Sequence, residues 1–141
     1  MFPEQLYTAQ QCRELDLLAG TGGIAGYALM CRAGAAAFAL LLASWPQPAA
    51  IHVVCGAGNN GGDGLAAARI VAMRGGEPLI IMREDPATHA AGTNARRARE
   101  LGIRIERELP EGLRFDAAVD ALIGIGMSKR ALPPRPWAGL G

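Results

Sequence analysis

The sequence predicts an α/β protein: a mostly parallel sheet layered with helices on both faces, preceded by two N-terminal helices. Three observations predict it. From residue 51 onward, short apolar β-branched runs alternate with segments of helical spacing. The first such run, "IHVV", leads straight into "CGAGNNGGDG" (55–64), a loop with five glycines. Ahead of it lie two segments with helical start and stop signals, the second of them strongly apolar.

The elements follow in order. Thr8 and Gln11 have the capping-box spacing, which predicts a first helix running to about Ala19. "GTGGIAG" (20–26) breaks the chain. "ALMCRAGAAAFALLLASW" (28–45) is the most apolar stretch. Arg32 interrupts it and leaves too short a run to span a bilayer, so it reads as a helix buried on most sides and ended by Pro46. "IHVVC" (51–55) is a buried strand. "LAAARIVAMRG" (65–75) is a helix stopped at Gly75, and "PLIIM" (78–82) a second strand. "THAAGTNARRAREL" (88–101) is a helix weakened by Gly92 and ended at Gly102. "IRI" (103–105) and "FDAAVDALI" (115–123) complete the strands. A loop rich in Pro and Gly follows (124–141). A sheet with an unpaired last edge is exposed, which suggests that residues 1–141 form one domain incomplete at its C-terminal side.

Composition narrows the function. A net charge of +1 gives no strong field for nucleic acid or anionic membrane. The three cysteines, Cys12, Cys31 and Cys55, form no CxxC and read as free thiols of a reducing cytoplasm. Only His52 and His89 could join them around a metal. "MFPEQLY" has no signal-peptide pattern.

Two loops leave strand ends, where α/β sheets bind ligands. Gly56, Gly58 and Gly61 satisfy GxGxxG, and such glycines let a backbone approach an anion closely. Gly62-Asp63-Gly64 delays the helix, which makes Asp63 its expected N-cap. Asn59 and Asn60 suit either a turn or an amide oxygen beside an ion or sugar. In the second loop, Asp120 ends an apolar strand, where a carboxylate needs a partner, water or a cation. Gly124 and Gly126 again allow close approach, and Ser128, Lys129 and Arg130 could meet a phosphate or simply face water.

The stretches "CGAGNNGGDGLAAARI" and "VDALIGIGM", with "RELD" (13–16), "GIAGYALM" and "RAGAAA" (32–37) upstream, resemble the YjeF N-terminal domain family of NAD(P)H-hydrate epimerases. The resemblance implies a Rossmann-like fold and a metabolite-repair isomerase that interconverts the R and S forms of NADHX and NADPHX. It implies potassium as cofactor, with Asn60 and Asp120 as ligands. It places Asn59, Asn60, Gly61, Gly62 and Asp63, and Gly124, Ile125, Gly126, Met127, Ser128, Lys129 and Arg130, along the substrate. Asp120 is then the candidate acid–base group, since the ring nitrogen expels the hydroxyl as water and takes water back on either face. Bacterial relatives often continue into an ADP-dependent dehydratase domain, and some relatives serve as dimerisation units, so a homodimer is within the family's range. The chain departs from the family pattern at Cys31 (usually Glu), at Ile125 (usually Thr) and in lacking a later D-[IV]-P-S-G segment.

Two other readings stay open. GxGxxG with Glu84 or Asp85 after the next strand fits an NAD(P)-dependent oxidoreductase. The missing segment fits a non-enzymatic nucleotide-binding or dimerisation module.

Overall fold

A computed structural model describes residues 5–47 and 50–125. Helix α1 (Ala9–Thr21) opens with the expected capping box: the Thr8 hydroxyl accepts the Gln11 N–H, and the Gln11 side chain accepts the Thr8 N–H. It buries no residue. Helix α2 (Gly26–Ser44) is continuous through Arg32 and, by length and composition alone, long and apolar enough to cross a membrane. It is not buried on most sides as expected. Only Met30, Gly34 and Phe38 are buried, one stripe facing α3, and Leu40 is 72% exposed.

The remaining elements are β1 (Ala50–Cys55), α3 (Asn59–Met73), β2 (Glu77–Ile81), α4 (His89–Glu100), β3 (Arg104–Glu106) and β4 (Ala117–Ala121). They make a four-stranded, wholly parallel sheet in the order β3-β2-β1-β4. Two reciprocal bonds fix the start of β1 against β4. The Asp116 N–H donates to the Ala50 carbonyl, and the Ala50 N–H to the Asp116 carboxylate, each at 2.8 Å. Helices α3 and α4 end where Gly75 and Gly102 take positive φ, as their stop signals predict.

Strand alternation sorts the core. Ile51, Val53 and Cys55 of β1 face the helices, joining Phe38, Leu65, Ala68, Val71, Ile80, Ala95 and Ala98. Val54, Leu79 and Ile81 face the other way, with Leu122 packed against them. Among the described residues α2, α3 and α4 all pack on the first of these faces. On the second, buried His52 lies 4.6 Å from Phe115, ring centre to ring centre, and burial lowers its pKa. Phe115, expected at the start of the last strand, precedes it. Beside β1 and opposite β2, β4 has no second neighbour among the described residues.

The helical layer sits close because of small residues. A Cβ on Gly34 would meet the Ala66 methyl at 2.5 Å and the Ala67 nitrogen at 2.8 Å, so α2 lies against the α3 backbone there. A Cβ on Gly64 would stand 2.6 Å from the Ala121 methyl, which brings α3 down onto β1 and β4.

Candidate functional site

The first glycine loop is shorter than the sequence suggested. Helix α3 begins at Asn59, not after Gly64, and its N-cap is Gly58. The Gly62 N–H already donates to the Gly58 carbonyl. Asp63 is therefore a residue of the helix's second turn and not its cap. The glycines work differently from the expectation too. A Cβ on Gly56 would collide with the Leu122 carbonyl, one on Gly61 with the Gly56 carbonyl, and one on Gly62 with the Met30 side chain. Gly56 and Gly61 let helix, strand and loop backbones touch one another, and Gly62 makes room for the Met30 side chain. Only Gly58 has open space around it. Among the described residues no side chain caps α3, so its first N–H groups and positive dipole end face the loop region without a side-chain partner there.

That helix start opens onto a cavity of about 480 Å³ at the carboxyl ends of β1 and β4. Gly58, Asn59, Asn60 and Asp63 line one side, and Leu122 to Ile125, the loop after β4, line another. Arg13 and Asp16 of α1 close it. The Gly56 N–H, donating to the Ala121 carbonyl at 3.0 Å, ties the two strand ends together. The Arg13 guanidinium donates to the Ile125 carbonyl at 3.0 Å and anchors α1 to the second loop. Asn60 packs against Gly124, where a Cβ would stand 3.1 Å from that of Asn60.

Two carboxylates, Asp63 and Asp16, line this cavity. Burial, reinforced by the charge of Asp16, pushes the Asp63 carboxyl up to about 6. Asp120 stands apart. In register with Val54, it points away from α3, is exposed, and accepts the Leu122 N–H at 3.0 Å. Thus the structure brings together Asn59, Asn60, Asp63, Gly124 and Ile125, buries Gly61 and Gly62 behind them, and sets Asp120 at the start of the same loop but outside the cavity. Gly126, Met127, Ser128, Lys129 and Arg130 lie outside the described residues. Arg13 and Asp16 were not singled out as site residues. "RELD" was only part of a resemblance, and nothing local shows that it meets a loop 112 residues away.

Among the described residues no three His, Cys, Asp or Glu side chains gather as a metal site. Asp85 pairs with Arg107 at 2.7 Å on the exposed surface.

A parallel α/β domain with a cavity at the carboxyl ends of neighbouring strands has the layout in which such folds place ligands. Residues 26–135 match the YjeF-related protein N-terminus, and the chain belongs to that family. The chain is 43% identical, over 92% of its length, to the bifunctional NAD(P)H-hydrate repair enzyme Nnr of Coxiella burnetii, covering 27% of that protein. It is 33% identical, over 97% of its length, to the NAD(P)H-hydrate epimerase of Rhodobacter capsulatus, covering 67% of it. The crystal structure of yeast YNL200c superposes with a TM-score of 0.78 at 20% identity, covering 96% of this chain and 63% of that one. The chain thus spans about a quarter of the first relative and two thirds of the second.

Proposed function

We propose that this domain repairs damaged nicotinamide cofactors by interconverting the R and S forms of NADHX and NADPHX. The observation that carries the proposal is the cavity itself. It joins the NNGGD helix start to the loop after β4, in a chain whose relatives are named as NAD(P)H-hydrate epimerases. The uncapped N–H groups of α3 suit the cofactor's phosphates. Neither an oxidoreductase nor a scaffold reading finds support in those relatives.

The chemistry needs a proton delivered to a departing hydroxyl and one taken from an incoming water. Asp63 lines the cavity and holds its proton to about pH 6, so it is placed to give one. Asp120, at the start of the second loop but outside the cavity, would receive one by turning its side chain inward from its bond with the Leu122 N–H. The planar ring formed between the two steps takes water on either face, which makes the reaction an epimerisation. Oxygen suits a hard ion such as potassium: the Asn60 amide would supply one oxygen from within the cavity, and the Asp120 carboxylate a second once its side chain turns in from the start of the second loop. Potassium would supply positive charge beside the substrate. A dehydratase, joined in one chain in the bifunctional relatives, is the natural partner activity.

Chromatographic separation of the two NADHX epimers over time tests this. The protein should speed their approach to equilibrium, and faster in potassium than in lithium chloride. A folded protein that neither binds NADHX nor changes the spontaneous rate overturns the reading.

A further inference from the structure

We propose that Tyr27, Arg69 and Arg97 frame a binding site for a phosphate group on the helical side of the domain, apart from the cavity at the strand ends. Tyr27 stands in the first turn of α2. Its hydroxyl oxygen accepts from Arg69 of α3 at 3.0 Å and from Arg97 of α4 at 2.6 Å. The Arg97 guanidinium also lies 4.7 Å over the Tyr27 ring. Two cations therefore converge on one neutral oxygen.

Nothing among the described residues balances them. Helices α2, α3 and α4 carry the five arginines Arg32, Arg69, Arg96, Arg97 and Arg99 but only two carboxylates. One of these, Asp63, lines the other cavity, and the second, Glu100, is held by Arg96 at 2.8 Å. Neither Arg69 nor Arg97 forms an ion pair with a described residue. Arg69 is half-buried, where a charge without a counter-charge is costly and an anion would relieve it, while Arg97 is exposed and open to a ligand.

The donor count points the same way. Asn94, wholly buried, gives its carbonyl oxygen to Arg69 at 2.7 Å. Its amide nitrogen is left without an acceptor, as is the Nε of Arg69. Both lone pairs of Tyr27 are taken, so its own O–H remains to donate. The unspent groups of Asn94 and Arg69 are donors sealed from solvent, and the exposed guanidinium fork of Arg97 is the one open to the oxygens of a phosphate. A groove of about 530 Å³ opens beside Tyr27 and is lined further by His89, Thr93 and Arg96. It shares no lining residue with the substrate cavity.

Titration calorimetry at fixed ionic strength tests the site with two probes, inorganic phosphate and AMP. Saturable binding is expected with a Kd of a few millimolar or tighter, on the order of 4 kcal/mol. Arg97→Gln should weaken it about tenfold and Tyr27→Phe several-fold. Arg99→Gln, on the same helix, should leave it unchanged. Binding of AMP much tighter than phosphate, with the same dependence on Arg97, identifies a nucleotide monoester as the ligand, and equal binding identifies free phosphate. The proposal is overturned if neither probe saturates, if Arg97→Gln binds like the wild type, or if Arg99→Gln weakens binding as much as Arg97→Gln does.

Discussion

Replacing Asp63 by asparagine is expected to slow epimerisation on the order of 10²-fold, the usual loss when a general acid is removed. The same change is expected to stabilise the protein at neutral pH. The two effects have opposite signs because, in the proposed role, the group serves chemistry at a cost to folding. Its carboxyl rises from an ordinary 3.8 to about 6 through burial and through Asp16. Below pH 3.8 the side chain is protonated in both folded and unfolded chains, and it does not affect stability. As pH rises from 3.8 to 6 the unfolded chain releases the proton that the folded chain still holds, so stability falls. Above pH 6 the full penalty is present, ~3 kcal/mol without screening and ~1–2 kcal/mol for a half-buried group. Asp63→Asn should therefore raise the melting temperature by a few degrees at pH 7.5 and by much less at pH 4.5. Asp120→Asn should cost a similar factor in rate, through loss of the second carboxylate, and should raise the potassium concentration needed for half-maximal activity. If Asp63→Asn retains its rate while gaining stability, Asp63 is a buried substrate neighbour and not the acid.

Much of this was legible in advance because it rests on local chemistry. The Thr8–Gln11 capping box, the apolar β1 and β2 runs, the stops at Gly75 and Gly102, and the parallel alternation each depend on a few adjacent residues. The site was legible in part for the same reason. Asn59, Asn60, Gly124 and Ile125 follow strands directly and so had to sit at strand ends. What was not legible depends on contacts between distant segments. Glycine disfavours helix by about 1 kcal/mol per residue, so NNGGDG reads as a loop. Here it is helical because only glycine fits where α3 touches the Gly56 carbonyl, Met30 and the β4 side chains. The cap assigned to Asp63 failed for the same reason, since the helix starts a full turn earlier. Alternation within "VDAL" shows that Asp120 and Ala121 face opposite ways, but only the pairing of Ala121 with Cys55 shows which side carries α3. Nor does local pattern reveal that Arg13 and Asp16 of α1, a helix with no buried residue, close the cavity.

Gly61→Ala should destabilise the domain severely, by ~3 kcal/mol or more, enough to leave most of a marginal protein unfolded. The added methyl would occupy the position of the Gly56 carbonyl, with the Gly56 carbon and nitrogen next in its path. These are backbone atoms of the turn that leaves β1, held by the Gly56 N–H bond to the Ala121 carbonyl. They cannot swing aside as a long side chain does, so α3 would have to lift from the sheet. Lifting α3 would separate Leu65, Ala68 and Val71 from Val53, Cys55 and Ile80, the centre of the core. It would also open the cavity, because Asn60 would leave Gly124. Helix propensity alone predicts the reverse, since alanine replacing glycine inside a helix gains about 1 kcal/mol. Gly92→Ala in α4 provides that contrast. No atom lies within 4 Å of a Cβ there, so this variant should be more stable by ~0.5–1 kcal/mol. Urea unfolding of the two variants beside the wild type measures both. Equal stabilisation by the two substitutions would mean that α3 does not lie on the Gly56 turn, and that the glycines of NNGGDG are there for the ligand and not for the fold.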